Sequence, residues 1–338
     1  GNLWIATSGG LSKYTPPKKG ENPNQKPFTN FTKKDGLVDE IISDIISDND
    51  GNLWISGENG IFKLTISAKN EISFNDETSS FGLGKNEIRS LNLDQNGNIW
   101  ATSNGIISKY NPTKNSHQLF TKNDGLLNTL YTNSFCDRAG NLWFGSKNGV
   151  LKYDQKTKLF QNFTNAEGLS DNDVRSIIED NSGSIWFATF GGGICRYDGE
   201  SVISYNNKQG LPGKSVYAAV EGKNGNIWLA PSGAGIVKFD INTSSKQQKI
   251  FTNYTSKQGL KNGDIYTAFA DNSGNVWFGG SGGIFKINEN SIINYTTKQG
   301  LASENINSLN NDKEGNLWIG TYDAGVCKFD GKSFTNFS

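Results

Sequence analysis

Seven positions along this 338-residue chain vary in a way that could do chemistry. Each lies five residues ahead of an Asp, or in one case of Gly222, and together they read Ser43, Arg89, Thr132, Arg175, Tyr217, Tyr266 and Asn307. The residue before each is apolar: Ile42, Ile88, Tyr131, Val174, Val216, Ile265 and Ile306. A chain that is otherwise regular, yet changes here between Arg, Tyr and Asn, is spending polar and aromatic groups on something. Phe190, Tyr322 and Asp323 sit in loops expected to open at the same end. Aromatic faces beside guanidinium and amide groups suit a sugar ring or an extended peptide. Arg89, Arg175, Tyr217, Tyr266, Asn307, Phe190, Tyr322 and Asp323 are therefore the candidate ligand-binding residues. The plainer alternative is that they only cap the strand ends.

Catalytic chemistry finds less support. His117 is the single histidine and lies in a Lys/Asn/Ser-rich stretch read as a surface loop, a poor place for a general base. No Ser/His/Asp set, phosphate-binding loop or histidine-rich metal cluster appears, so no catalytic residue, metal or cofactor is expected. Asp48-Asn49-Asp50-Gly51-Asn52, Asp94-Gln95-Asn96-Gly97-Asn98 and Asp271-Asn272-Ser273-Gly274-Asn275 resemble half of a calcium loop. None carries the bidentate Glu that would complete one, so they read as tight turns. Asn30, Asn162, Asn253 and Asn294 each begin an Asn-x-Thr pattern, but all fall at one repeated position and read as repeat consensus.

The elements that must position these groups come from one recurring stretch, seen as Gly315-Asn316-Leu317-Trp318-Ile319-Gly320-Thr321. It carries all eight tryptophans: Trp4, Trp54, Trp100, Trp143, Trp186, Trp228, Trp277 and Trp318, separated by 50, 46, 43, 43, 42, 49 and 41 residues. A period in this range signals a repeat architecture. Within one unit, residues 173–179 read as a first strand, A, and Asp180-Asn181-Ser182-Gly183 as a turn. Residues 184–189 form strand B with the Trp, 194–197 strand C and 201–205 strand D, and nothing of helical length and period intervenes.

Strand B is apolar on both faces, so its sheet must be covered on both sides. Radially arranged four-stranded blades achieve this, with each Trp as interblade core and its indole N–H in need of a partner. The expected fold is an all-β, single-domain propeller of eight blades over residues 1–338, with seven blades plus an extra unit as the alternative. Eight B, eight C and eight D strands are found, but only seven A strands, starting near Ile41, Ile88, Leu130, Val174, Val216, Ile265 and Ile306. The absent strand is the innermost one of the first blade and is expected just before Gly1 or just after Ser338. The second repeat is the least regular, with a weak D segment at Ile72 and Phe74. Polar insertions at Pro16–Pro27 and 242–249 are expected to be mobile C–D loops on one face.

Composition narrows the partners. Thirty-three basic residues balance thirty-three acidic ones, which argues against nucleic acid or an anionic membrane. No apolar run approaches the roughly 20 residues that span a bilayer. The chain opens on Gly1, inside a repeat, and is expected to be processed or truncated. Cys195 and Cys327 occupy equivalent places three repeats apart, so they read as buried free thiols rather than a disulfide.

The repeat as a whole, Asp-x-x-Gly-Asn-Leu-Trp-Ile-Gly-Thr followed by Gly-Gly-Ile/Leu-x-Lys-Tyr-Asp and Phe-Thr-x-Phe-Thr-x-x-x-Gly-Leu, resembles the two-component regulator propeller repeat. That resemblance covers essentially the whole chain. It implies a periplasmic or extracellular propeller, a piece of a hybrid sensor or a stand-alone, lipid-anchored protein in the manner of Bacteroidetes. The large sensors also carry a second propeller, an immunoglobulin-like module, a membrane helix and a kinase. Three function classes follow: a non-catalytic, monomeric sensing propeller that binds a glycan or peptide; an assembly scaffold that docks an envelope protein; and, ranked last, an enzyme like the streptogramin-cleaving lyases, which use similar repeats and a histidine.

Overall fold

A computed structural model of the chain describes residues 2–17, 27–37, 39–67, 69, 71–127, 129–241, 250–260, 263–288 and 291–337. The insertion at 242–249, and 18–26 of the first insertion, lie outside the described residues. Among those described are thirty-one strands in eight antiparallel sheets. The fold is an all-β, eight-bladed propeller. Seven sheets have four strands in simple A-B-C-D order, and the first has three (Leu3–Thr7, Gly10–Tyr14 and Phe28–Phe31).

The chain divides into two compact units, Gly1–Asn162 and Phe163–Ser338. In the first, strands A of the second (Ile42–Ser47), third (Ser90–Leu93) and fourth (Tyr131–Cys136) sheets lie side by side. In the second, strands A of the fifth (Val174–Glu179), sixth (Val216–Glu221), seventh (Ile265–Ala270) and eighth (Ile306–Asn311) sheets do the same.

Tryptophan explains the cohesion of each unit. Trp54 packs on Ile88, Leu91 and Ile99 of the next sheet, and Trp100 on Tyr131, Leu142 and Phe144. In the second unit Trp186 packs on Val216, Leu229 and Phe239, Trp228 on Ile265 and Phe278, and Trp277 on Ile306 and Ile319. Trp143 and Trp318 are buried as well. Trp4 departs from the expectation and is only partly buried. In six of the other seven sheets a turn Asp that ends strand A receives the indole N–H, and the three-stranded first sheet has no such turn of its own among the described residues.

The connection from strand D to the next strand A is a single turn of 3-10 helix in seven places. In six of them a Thr or Asn cap receives the N–H two residues on, and a Glu, Asp or Gln three residues on returns a bond to the cap's own N–H. A Gly in the left-handed region then ends the turn, Gly168 with φ +104 for example. The repeated Asn of strand D braces the glycine that ends the preceding connection. Asn162 Nδ2 donates to Gly125 O at 2.9 Å, and Asn336 Nδ2 to Gly300 O at 2.9 Å.

Three expectations are corrected by the fold. His117 lies in strand D of the third sheet (Ser116–Phe120), not in a loop, because the Lys/Asn/Ser-rich hairpin is short enough for pairing to resume at Asn111–Ser116. The D segment of the second sheet is a regular strand, Ile72–Asp76, paired along its length with Gly60–Ile66. Strand A of the third sheet starts at Ser90, not Ile88. All three cysteines are free, with Cys195 and Cys327 buried.

Candidate functional site

The variable positions share a backbone device. In the fifth sheet Val174 faces Thr189 and Ser176 faces Ala188, so Arg175 has no partner across the ladder. The register shifts the same way at Ser43, Thr132, Tyr266 and Asn307, and at Tyr217 together with Ala218. An extra residue in one strand of a pair is a β-bulge, which bends the strand and re-aims the side chain. The six positions that lie within strands A are thus all bulges. Arg89 instead precedes its strand, its N–H donating to Thr102 O at 3.2 Å.

In the second unit these bulges bring four predicted residues into one run. The Arg175 guanidinium carbon lies 4.7 Å above the Phe190 ring. Phe190 and Tyr217 have ring centroids 6.0 Å apart at 50°, and Tyr217 and Tyr266 follow at 5.9 Å and 67°. Phe190 is 42% exposed and Tyr266 49%, whereas most of the repeat tryptophans are buried. The rings are tilted in succession, so they offer faces and edges rather than one flat strip.

One residue that sequence reasoning missed fixes the near end of this run. The Asp173 carboxylate takes Arg175 Nη2 at 2.8 Å, while the Asp173 carbonyl receives the Phe190 N–H at 2.7 Å. Asp173 therefore holds both the cation and the ring beneath it. The signal available was its position two before Arg175, matched by Glu87 two before Arg89. Arg89 lies in the first unit, paired with Glu87 at 2.6 Å.

Tyr322 and Asp323 occupy the B–C loop of the eighth sheet. The Tyr322 N–H donates to Asn305 O at 2.9 Å and Asn305 Nδ2 donates to Asp323 at 3.4 Å. Hydrogen bonds from Ser303 and Asn305 hold the Asp323 carboxyl below its ordinary range. Tyr322 is 86% exposed. Among the described residues neither Tyr322 nor Asn307 makes a ring, hydrogen-bond or ion-pair contact with the Arg175–Tyr266 run. The first unit presents small polar groups at its inner strands instead: Ser90 and Ser134 hydroxyls are 2.6 Å apart, and Asp44 accepts the Leu91 N–H at 2.8 Å. Burial pushes the Asp44 carboxyl up despite that bond.

The half-calcium-loop sequences are turns whose carboxylates are used internally. Asp180 Oδ1 receives the N–H groups of Ser182 and Ser184, and Oδ2 the indole N–H of Trp186 at 2.8 Å. Asp48, Asp94, Asp137, Asp271 and Asp312 receive their own tryptophans in the same way. Among the described residues no group of three or more His, Cys, Asp or Glu side chains is placed to hold a metal ion.

These features define an eight-bladed β-propeller with an exposed cation–aromatic run where strands A begin. The pattern of the two component regulator propeller family matches four stretches of the chain, residues 36–59, 168–191, 259–282 and 300–323. No curated protein matches the sequence. The extracellular domain of a hybrid two component system from B. thetaiotaomicron shares the fold across 99% of this chain, with a TM-score of 0.53 and 21% identity. This chain spans 44% of the length of that domain. PorZ, a surface component of the type-IX secretion system of Porphyromonas gingivalis, matches 98% of this chain and 57% of its own, at TM-score 0.63 and 16% identity. Virginiamycin B lyase from Staphylococcus aureus matches 85% of this chain and 94% of its own, at TM-score 0.59 and 17% identity. At these identities the likeness is one of fold.

Proposed function

We propose that this propeller is a non-catalytic sensing module of the bacterial envelope, exposed to the periplasm or the exterior, and that it binds a glycan on the Arg175–Phe190–Tyr217–Tyr266 run. The run itself carries this reading. Three accessible aromatic groups and a fixed guanidinium in sequence offer ring faces for the apolar side of a sugar and polar atoms for its hydroxyls. Its likeness in repeat to regulator propellers and in fold to an extracellular sensor domain supports the setting. No helix among the described residues is long and apolar enough to cross a membrane.

A lyase role has weaker support. A histidine-to-alanine form of virginiamycin B lyase is catalytically inactive, whereas this chain's single histidine, His117, sits on an outermost strand against Gly82. A glycan array with wild-type protein and a Tyr217→Ala/Tyr266→Ala variant tests the proposal. Binding that disappears in the variant supports it. Absence of any bound glycan, or binding unchanged by the double substitution, overturns it. Capture of an extended peptide through the same residues would replace glycan by peptide.

A further inference from the structure

Six sheets close the A–B turn with an Asp, and the sixth closes it with Gly222. The turn backbone is unchanged by this. The Gly222 N–H donates to Asn226 O at 2.9 Å and the Gly225 N–H to Gly222 O at 3.0 Å, just as Asp180 does with Ser184 and Gly183, both at 2.9 Å. What is lost is the acceptor. In the seventh sheet the Asp271 carboxylate receives four donors: the N–H groups of Ser273 and Asn275, the Asn275 amide and the Trp277 indole. Their counterparts here are the N–H groups of Asn224 and Asn226, the Asn226 amide and the Trp228 indole. None of the four has an acceptor among the described residues. Asn226 is 8% exposed and Trp228 6%, and both line the cleft beside Gly222.

The four donors face a cleft of about 470 Å³ between the sixth and seventh sheets, lined also by Lys223, Lys238 and Ser273. Lys238 stands opposite Trp228 in the strand ladder. Its equivalents Lys63, Lys109, Lys152, Lys286 and Lys328 lie over their own indoles at 5.1–5.7 Å, but Lys238 does not. Neither lysine is paired with a carboxylate among the described residues. The acidic groups nearby are committed elsewhere: Glu221 receives the Asn181 N–H at 2.9 Å, and Asp271 serves its own turn.

We infer that this cleft binds a carboxylate supplied by a ligand. The carboxylate meets the free donors from the cleft side, since the Trp228 indole nitrogen lies 2.7 Å from where a Cβ on Gly222 would stand, and the two lysines balance its charge. Free N–H donors and two ammonium groups lining one cleft are groups that bind an anion of this shape. The volume accommodates a molecule of uronic-acid size, and the hydrophilic lining suits a hydroxylated one. This site lies at the opposite end of the strands from the aromatic run and does not depend on it.

The test follows the Trp228 indole N–H by NMR, assigned with Trp228→Phe, while glucuronate, acetate or neutral glucose is added. The expected result is a saturable shift of that signal with glucuronate and acetate and none with glucose. Lys238→Gln should weaken the response at least tenfold. Gly222→Asp, checked as folded by circular dichroism, should move the signal to the range of the other indoles and abolish the response. A strained Gly222→Asp does not decide the matter alone, because Asn226→Ala must also weaken binding. An unmoved Trp228 signal, an equal response to glucose, or a wild-type response in both Lys238→Gln and Asn226→Ala overturns the inference. The Tyr217→Ala/Tyr266→Ala variant should respond as wild type, which separates failure of this site from failure of the glycan reading.

Discussion

The Trp186 indole nitrogen donates to Asp180 Oδ2 at 2.8 Å across six residues of chain, and this one bond joins the turn between strands A and B to the interblade core. Burial alone would raise the Asp180 carboxyl. Bonds from Ser182, Trp186 and the turn N–H groups outweigh it and hold the group below its ordinary 3.8. Asp48, Asp94, Asp271 and Asp312 are lowered with burial opposed in the same way by their tryptophan and Asn bonds. A carboxylate with a depressed folded pKa contributes stability that is complete above its unfolded value and disappears as pH falls through the folded one. Stability should therefore decline steeply below about pH 4. Asp180→Asn should cost about 1.5–3 kcal/mol at neutral pH and make the acid limb shallower. Urea midpoints from pH 2.5 to 7 measure both, and an unchanged limb would remove these turns as its cause.

Truncation of the indole itself should cost more. Trp186 is fully buried, edge-on to Phe239 at 5.4 Å and stacked on Tyr205 at 6.1 Å. Trp186→Ala leaves a large cavity and orphans Asp180, so the loss should be about 3–5 kcal/mol. Chemical denaturation measures it, and a loss under about 1 kcal/mol would contradict a load shared between neighbouring sheets. Trp4→Ala should cost distinctly less, since that ring is only partly buried.

Most of this scaffold was legible because tryptophan spacing and two-residue alternation are properties of the sequence itself. The strand count, the three-stranded first sheet and the Asp-x-x-Gly turns follow from them. The bulges were not legible, because alternation read along strand A cannot reveal one residue skipped by its partner. The position of Arg175 could be picked out by its variability, but its place over Phe190 depends on a hairpin bond to Asp173 that only the fold supplies. The 3-10 turns were there to be read in Thr164-Asn165-Ala166-Glu167-Gly168 and its repeats, a capping-box pattern hidden by its brevity. Gly222 was visible as the missing Asp, yet its consequence appears only when the fold lines one cleft with the donors that Asp serves elsewhere.

Glycines separate conformational strain from collision. Gly183 has φ +88 with open space around an added Cβ, so Gly183→Ala should cost only the left-handed penalty, about 1–2 kcal/mol. Gly193 has φ +90, and an added Cβ would press into the Tyr205 carbonyl and Leu211. Gly193→Ala therefore has to shift strand D and should cost clearly more. Thermal unfolding of the two variants side by side checks the order, and equal losses would mean that strand D yields freely.

The Asp173 arrangement makes a prediction about the proposed glycan platform that stability does not share. Asp173→Ala keeps the carbonyl that receives the Phe190 N–H but removes the carboxylate that fixes Arg175 at 2.8 Å. Both partners are partly exposed, so the pair adds little to folding. Its loss should leave the melting temperature nearly unchanged. The freed guanidinium must then be ordered again on binding, which should weaken glycan affinity about threefold to tenfold, roughly 1 kcal/mol. Phe190→Ala removes the ring beneath the cation and should weaken binding further, again with a small effect on stability because the ring is exposed. Titration calorimetry of the two variants against the glycan found on the array checks this order. Affinity that survives Phe190→Ala intact would move the binding surface away from this end of the run.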